Sequence, residues 1–178
     1  MIIWITGLSG SGKTTIGKEV YKQWKKIAPN TVFVDNDDTR GIFDYETFKN
    51  TVLKDEEYTA EKRLMRAERF ARFCQWLDKQ EINAVCCTIS NFKKVRTWNR
   101  KNYSKYFEIY LSVPIKILAE RDTKGLYKLA MAGKKKNVLG VDIPYRPLKT
   151  YDLKIKNDQH IDDYKAIGQK ILKKVKIL

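Results

Sequence analysis

Apolar residues in this chain fall into short continuous runs separated by stretches where they recur every three or four positions. Ile2-Ile3-Trp4-Ile5 is β-branched and aromatic, so it reads as a buried strand. Ile16, Val20 and Trp24 then repeat at helical spacing. Ala28-Pro29-Asn30 breaks that pattern, and Thr31-Val32-Phe33-Val34 follows as a second strand. Residues 41–58 carry Phe43, Tyr45, Phe48 and Tyr58 but follow no clear period. A long helix is expected from Thr59, an N-cap, although Lys62 stands where a capping box prefers Glu. Ala67, Phe70, Cys74 and Leu77 form its core stripe. Residues 82–89 are apolar almost throughout, as in a strand of a parallel sheet covered on both faces. Residues 106–111 give a fourth strand, and Pro114 opens a helix bearing Ile117, Leu118 and Arg121. Residues 152–155 give a last short strand. Tyr164, Ile167, Ile171 and Val175 mark a closing helix. Strand and helix alternate, which predicts a three-layer α/β fold with a parallel sheet and right-handed crossovers.

Composition narrows the class. At 178 residues the chain suits a single domain over 1–178, and 43% hydrophobic content excludes a disordered chain. No run approaches the length of a membrane span, and no basic leader precedes the first strand, so a cytoplasmic protein without a membrane partner is expected. Cys74, Cys86 and Cys87 lack metal-site spacing and read as reduced, buried thiols. The net charge of +15 favours anionic partners, either nucleic acid or small phosphorylated molecules. Much of the excess is Lys170, Lys173, Lys174 and Lys176, which on a helix face are solvated charges. His160, the only histidine, reads as a surface or capping residue.

The chemistry begins at Gly7-Leu8-Ser9-Gly10-Ser11-Gly12-Lys13-Thr14, which fits the phosphate-binding pattern G-x-x-x-x-G-K-[ST]. A strand precedes it and a helix follows, as that pattern requires. Glycines let backbone N–H groups converge on phosphate oxygens, and the helix start adds its positive dipole end. Lys13 is expected on the outer phosphates and the Thr14 hydroxyl on Mg²⁺. The second strand delivers Asp35-Asn36-Asp37-Asp38-Thr39-Arg40 at its C-terminal end, where ligands sit in open α/β sheets. These acids suit Mg²⁺ positioning and a base for a hydroxyl; they also suit a turn with helix-capping aspartates. Arg40 favours a phosphate role. Of Arg63, Arg66 and Arg69 on the long helix, only the earlier ones are ligand candidates. Residues 122–145, lysine-rich and punctuated by Gly125, Gly133 and Gly140, suit a lid.

Several of these stretches together resemble the adenylylsulfate kinase (APS kinase) family. The phosphate loop through Thr15 matches that family nearly letter for letter. Asp35-Asn36-Asp37 with Arg40 is similar to its D-G-D-N-x-R, and Thr88-Ile89-Ser90 to its F-I-S-P, with Arg96 following on a helix. Residues 121–127 resemble R-D-P-K-G-L-Y, and residues 136–140 with Pro144-Tyr145 resemble K-N-F-T-G and a following P-Y. The resemblance implies a P-loop kinase fold with a five-stranded parallel sheet, a mobile lid and a homodimer. It implies transfer of the γ-phosphoryl of ATP to the 3′-hydroxyl of adenylyl sulfate. Lys13, Asp35 and Asp37 would be catalytic, with Asp37 as base or orienting group and Asp35 and Thr14 on Mg²⁺. Gly7, Ser9, Gly10, Ser11, Gly12, Thr14 and Thr15 would bind ATP with Lys13, joined by Arg121 and Lys124. On the acceptor side the resemblance places Asp37, Arg40, Tyr58 and Arg63, then Thr88, Ile89 and Ser90. The lid would add Lys124, Gly125, Leu126 and Val138.

The departures bear on the acceptor. Asn36 replaces the middle Gly of D-G-D, and the family's R-x-E-N is here Arg63-Leu64-Met65-Arg66. Val138 replaces the Phe that, with a second aromatic, sandwiches the acceptor adenine. Tyr58 can supply one wall, but Val138 cannot stack, and a lost aromatic face is worth about 0.5–1.5 kcal/mol beyond its area. Such departures are similar to a subgroup found with capsule genes, in which cytidine diphosphoramidate is phosphorylated at the ribose 3′-hydroxyl. A pyrimidine suits a one-sided stack, so both acceptors stay open. A basic nucleic-acid-binding protein would interleave aromatics and cations along a groove. Residues 91–98 approach that only briefly, so no nucleic-acid partner is expected. A nucleotide sensor without catalysis would lack Lys13 or Asp37, and both are present.

Overall fold

The computed structural model describes residues 1–44, 55–90, 92–122, 124–159 and 163–178. Tyr45, Phe48 and His160, named above, lie outside them, as do Asn91 and Thr123 of the stretches 91–98 and 121–127. Five parallel strands form one sheet in the order β2-β3-β1-β4-β5. These are β1 (Ile2–Thr6), β2 (Thr31–Asp35), β3 (Asn83–Thr88), β4 (Tyr106–Ser112) and β5 (Leu153–Lys156). Because β1 is central, its alternate residues face two cores, and the continuous apolar run follows directly. Ile2 and Trp4 point to one side; Ile3 and Ile5 point to the other. The edge strand β5 instead alternates, with Leu153 and Ile155 half-buried and Lys154 and Lys156 exposed.

Helices cover both faces. On the first lie α3 (Ala60–Lys79), which buries the expected stripe of Ala67, Phe70, Cys74 and Leu77, and α4 (Lys93–Asn102). Thr59 caps α3 by accepting from the Lys62 amide at 3.4 Å. On the second face α1 (Lys13–Lys25) packs Ile16, Val20 and Trp24 beside α7 (Tyr164–Lys174), which contributes Ile171 and Leu172. The first turn of α2 (Asn36–Phe43) carries Asp37. The three cysteines are buried and free, with Cys74 Sγ 3.4 Å from Cys86 Sγ.

Pro114 opens α5 (Ile115–Arg121), as expected, whereas two short elements escaped the sequence pattern: Asp55–Tyr58 is a 3₁₀ turn, and α6 spans Leu126–Met131 inside the expected lid. Gly125 opens α6 at φ 64°, and Asp122 accepts from the Tyr127 and Lys128 amides at 3.1 and 2.8 Å. Tyr127, Ala130 and Val138 then pack on Leu8 and Leu118 as a small third core.

Arg96 belongs to the scaffold. Glu108 on β4 is fully buried; it accepts from Arg96 Nε, and from Arg96 Nη2 at 2.8 Å and Arg100 Nη2 at 3.1 Å. Arg96 also donates to the Thr150 carbonyl, which ties α4 and β4 to the approach of β5. Removing one partner of a buried ion pair strands the other charge. Arg96→Met is expected to lower unfolding free energy by about 3 kcal/mol in urea denaturation, the low end of the usual 3–5 because Arg100 remains.

Candidate active site

The glycine loop joins β1 to α1 at the C-terminal edge of the sheet. A Cβ on Gly7 would stand 2.7 Å from the Leu111 carbonyl oxygen, so only glycine lets the loop lie this close to β4. Gly12 takes φ 89° and caps α1 without any side-chain hydrogen bond. The first N–H groups of that 13-residue helix therefore face outward as anion donors. Lys13 curls over the loop and donates to the Leu8 carbonyl at 2.8 Å. Burial pulls its pKa down, against the opposing pull of Cys87, Asp37 and Asp35.

Asp35 ends β2 and makes two short contacts. Thr14 Oγ1 donates to its Oδ2 at 2.7 Å, and the Asp37 amide donates to its Oδ1 at 2.9 Å. The second contact is an N-cap, which bears out the capping reading of this acidic stretch. Asp37 is paired with Arg40 Nη2 at 2.5 Å and Lys124 Nζ at 3.2 Å. Burial alone would raise its pKa; Arg40 and Lys124 outweigh that and leave it below the ordinary carboxylate value.

Two cavities meet at Asp37. One, of about 420 Å³, is lined by Ser9, Gly10, Gly12, Lys13, Thr14 and Thr15 of the loop, with Asp35, Arg121 and Lys124. The other, of about 320 Å³, is lined by Arg40, Tyr58, Arg63, Leu126 and Val138. Ser9, Asp37, Ile89 and Lys124 border both. A smaller recess of about 160 Å³ adjoins Arg40 and Arg63 and holds Thr88 and Ser90. Gly7, Ser11 and Gly125 line none of the three: Gly7 lies beneath the loop, Ser11 points inward and is buried, and Gly125 shapes the turn into α6.

The remaining cations differ in their partners. Arg63 donates to the Tyr58 carbonyl at 2.7 Å and the Asn137 carbonyl at 2.6 Å, and no carboxylate among the described residues pairs with it. Burial lowers its pKa, and Arg40 adds to the effect. Lys135 and Arg63 lie 5.3 and 5.2 Å from the Tyr58 ring centre, so the aromatic wall carries positive charge. Val138 is 3% exposed, with its amide donating to Asp142 at 2.6 Å. The segment 122–145 reaches back over the loop: Tyr127 Oη donates to the Ser9 carbonyl at 3.0 Å, and Lys124 meets Asp37.

Asn157, Gln159 and Tyr164 complete the first cavity and were not anticipated. Asn157 Nδ2 donates to the Ser11 carbonyl at 2.9 Å and stands 2.6 Å from where a Cβ on Gly12 would lie. Its place just after β5 was the available signal, since ligands gather at that edge of a parallel sheet.

The Thr14 hydroxyl and Asp35 carboxylate are hard oxygen donors side by side. Among the described residues no group of three His, Cys, Asp or Glu could enclose a metal. That sparse set fits Mg²⁺, which keeps several waters and takes its remaining ligands from phosphates.

A cavity that can grip a row of phosphates, open to a second cavity across an ionised aspartate, places the chain among the P-loop phosphotransferases. Comparison with known proteins narrows the class. The adenylylsulphate kinase family pattern matches residues 1–156, and the chain belongs to that family of ATP-dependent kinases. It is 37% identical over 144 residues to a cytidine diphosphoramidate kinase of Campylobacter jejuni, covering 81% of this chain and 79% of that protein. It is 32% identical over 157 residues to an adenylyl-sulfate kinase of Halothermothrix orenii, covering 88% and 80%. The APS kinase of Mycobacterium tuberculosis, solved in complex with AMPPNP and APS, shares the fold with a TM-score of 0.81. That match has 24% identity and covers 98% of this chain and 96% of the other. Among the described residues no helix is long and apolar enough to cross a membrane.

Asn157 holds the loop through one hydrogen bond. Asn157→Ala is expected to weaken Mg-ATP binding about 5- to 10-fold by isothermal titration, the equivalent of one lost hydrogen bond of about 1 kcal/mol.

Proposed function

We propose that this kinase moves the γ-phosphoryl group of ATP to the ribose 3′-hydroxyl of a nucleotide, with cytidine diphosphoramidate as the acceptor. The observation that carries the reading is the position of Asp37, bordering both cavities and ionised beside Arg40 and Lys124. ATP phosphates would lie in the larger cavity, on the α1 amides and Lys13, with Arg121 on the same wall. Thr14 and Asp35 would hold Mg²⁺, whose charge offsets that of the phosphates. The acceptor would lie in the second cavity with its hydroxyl on Asp37. Phosphoryl transfer asks a protein mainly for alignment and charge neutralisation. A ribose hydroxyl is a weak acid, so Asp37 orients it and accepts its proton late. Arg63, unpaired with any carboxylate among the described residues, and Arg40 would hold the acceptor's diphosphate-type group.

The choice of cytidine rests on Val138. With Tyr58 and the aliphatic Val138 both lining this cavity, it suits a base stacked on one side, and the similarity to the Campylobacter enzyme agrees. Adenylyl sulfate is the second reading, favoured by the adenylyl-sulfate kinases among the relatives. A nucleic-acid-binding role has less support, because Tyr58 lines a cavity of about 320 Å³ that is bordered by the Asp37 carboxylate.

Three measurements test this. An ADP-release assay with Mg-ATP should respond to cytidine diphosphoramidate more than to adenylyl sulfate or plain nucleoside diphosphates; the reverse order would select the second reading. Lys13→Ala should abolish turnover, and Asp37→Asn should lower kcat by about 10²–10⁴-fold while ATP affinity changes less than about threefold. Val138→Phe should shift the kcat/KM ratio toward adenylyl sulfate by about 2- to 10-fold, in line with the worth of an aromatic face. An unchanged ratio would remove Val138 from the explanation.

A further inference from the structure

We infer that Arg66 is a positioning residue for the acceptor: it holds the 3₁₀ turn that shapes the second cavity and ties that turn to the lid. The assignment of acceptor to that cavity rests on the phosphoryl-transfer reading above.

The turn Asp55–Tyr58 is a short bridge with α3 on one side and residues 135–137 on the other. From the helix side, Arg66 Nη2 meets Glu57 Oε2 at 2.6 Å, and Arg66 Nη1 donates to the Glu57 backbone carbonyl. One guanidinium fork therefore grips both the side chain and the main chain of a single residue. Lys62 Nζ holds the other Glu57 oxygen at 2.5 Å, and Arg66 Nε donates to Asp44 at 3.2 Å. From the lid side, the Asp55 carboxylate accepts from the Lys136 amide at 3.0 Å and Lys135 Nζ at 3.2 Å. The Asp55 carbonyl accepts from Asn137 Nδ2 at 2.8 Å. Arg63 closes the circuit by donating to the Tyr58 and Asn137 carbonyls.

Arg66 and Arg63 thus divide the work, one helical turn apart. Arg63 donates to carbonyls and lies over the Tyr58 ring, and with no carboxylate paired to it among the described residues its charge is left for an anion. Arg66 spends its charge on Glu57 and Asp44, and its fork fixes the residue next to Tyr58. A loosened Glu57 would free the aromatic wall and the Asp55 anchor together, since a four-residue 3₁₀ turn has little stability of its own.

The test uses the full chain. Hydrogen–deuterium exchange without ligand should show peptides over residues 133–140 exchanging about tenfold faster in Arg66→Gln, with peptides over residues 7–20 as in the unsubstituted protein. Steady-state kinetics should show KM for the acceptor raised about tenfold and KM for ATP within about twofold. Arg66→Lys should recover part of the loss, because it keeps the charge and lacks the fork. Glu57→Gln, which leaves Arg66 paired with Asp44, should reproduce the phenotype and serves if Arg66→Gln does not fold. Unchanged exchange over 133–140 in folded variants would overturn the inference, as would equal rises in both KM values. If no nucleotide acceptor supports ADP release by the unsubstituted protein, the functional reading fails, and the exchange result alone still decides the role of Arg66 in holding the lid.

Discussion

Asp35 accepts from the Thr14 hydroxyl through one carboxylate oxygen and from the Asp37 amide through the other, and both sides of the site take their positions from it. β1 and β2 are not neighbours in the sheet; β3 lies between them. The Asp35 contacts therefore span that gap, joining the glycine loop after β1 to the first turn of α2 after β2. A carboxylate with both oxygens engaged has little rotational freedom. Asp37 is consequently fixed relative to the phosphate loop by a chain of two hydrogen bonds rather than by a flexible connection.

The strong positive charge of the chain is not concentrated where the chemistry lies. Around Asp37 the cations are matched: Arg40 and Lys124 share that carboxylate, and Arg66 is held by Glu57 and Asp44. Lys170, Lys173 and Lys174 of α7, part of the C-terminal excess, are exposed, as a solvated face would be, and none of them lines the cavities at Asp37. The charge that bears on function is therefore local. Under the proposed function it would be Arg63, which no carboxylate among the described residues pairs, with Lys13 and the amide end of α1, rather than the net +15.

The sheet and its central helices were legible because burial on both faces leaves a simple mark. Ile2 to Ile5 are apolar without interruption for the same reason that they have no access to water. The phosphate loop was legible because Gly7 and Gly12 cannot be other residues where they stand. Elements stabilised by single polar contacts were harder. The turn Asp55–Tyr58 buries no residue and is held by Arg66 and by the lid, contacts from residues well removed in sequence. Helix α6 spans only Leu126–Met131 and depends on Asp122 and on packing with Leu8. Asn157 carries no motif; its importance lies in touching a loop 146 positions earlier. Arg96 shows the converse, since its family position drew attention to a residue whose work is to neutralise buried Glu108.

Asp37 sits between two cations, and under the proposed function this has a bearing on how the pocket would fill. The site carries its own internal counter-ions. An arriving anion would compete with the carboxylate for Arg40 and Lys124, and a carboxylate that gave one of them up would be available to the sugar oxygen. Arrival of the correct guest would then itself uncage the group that aims it.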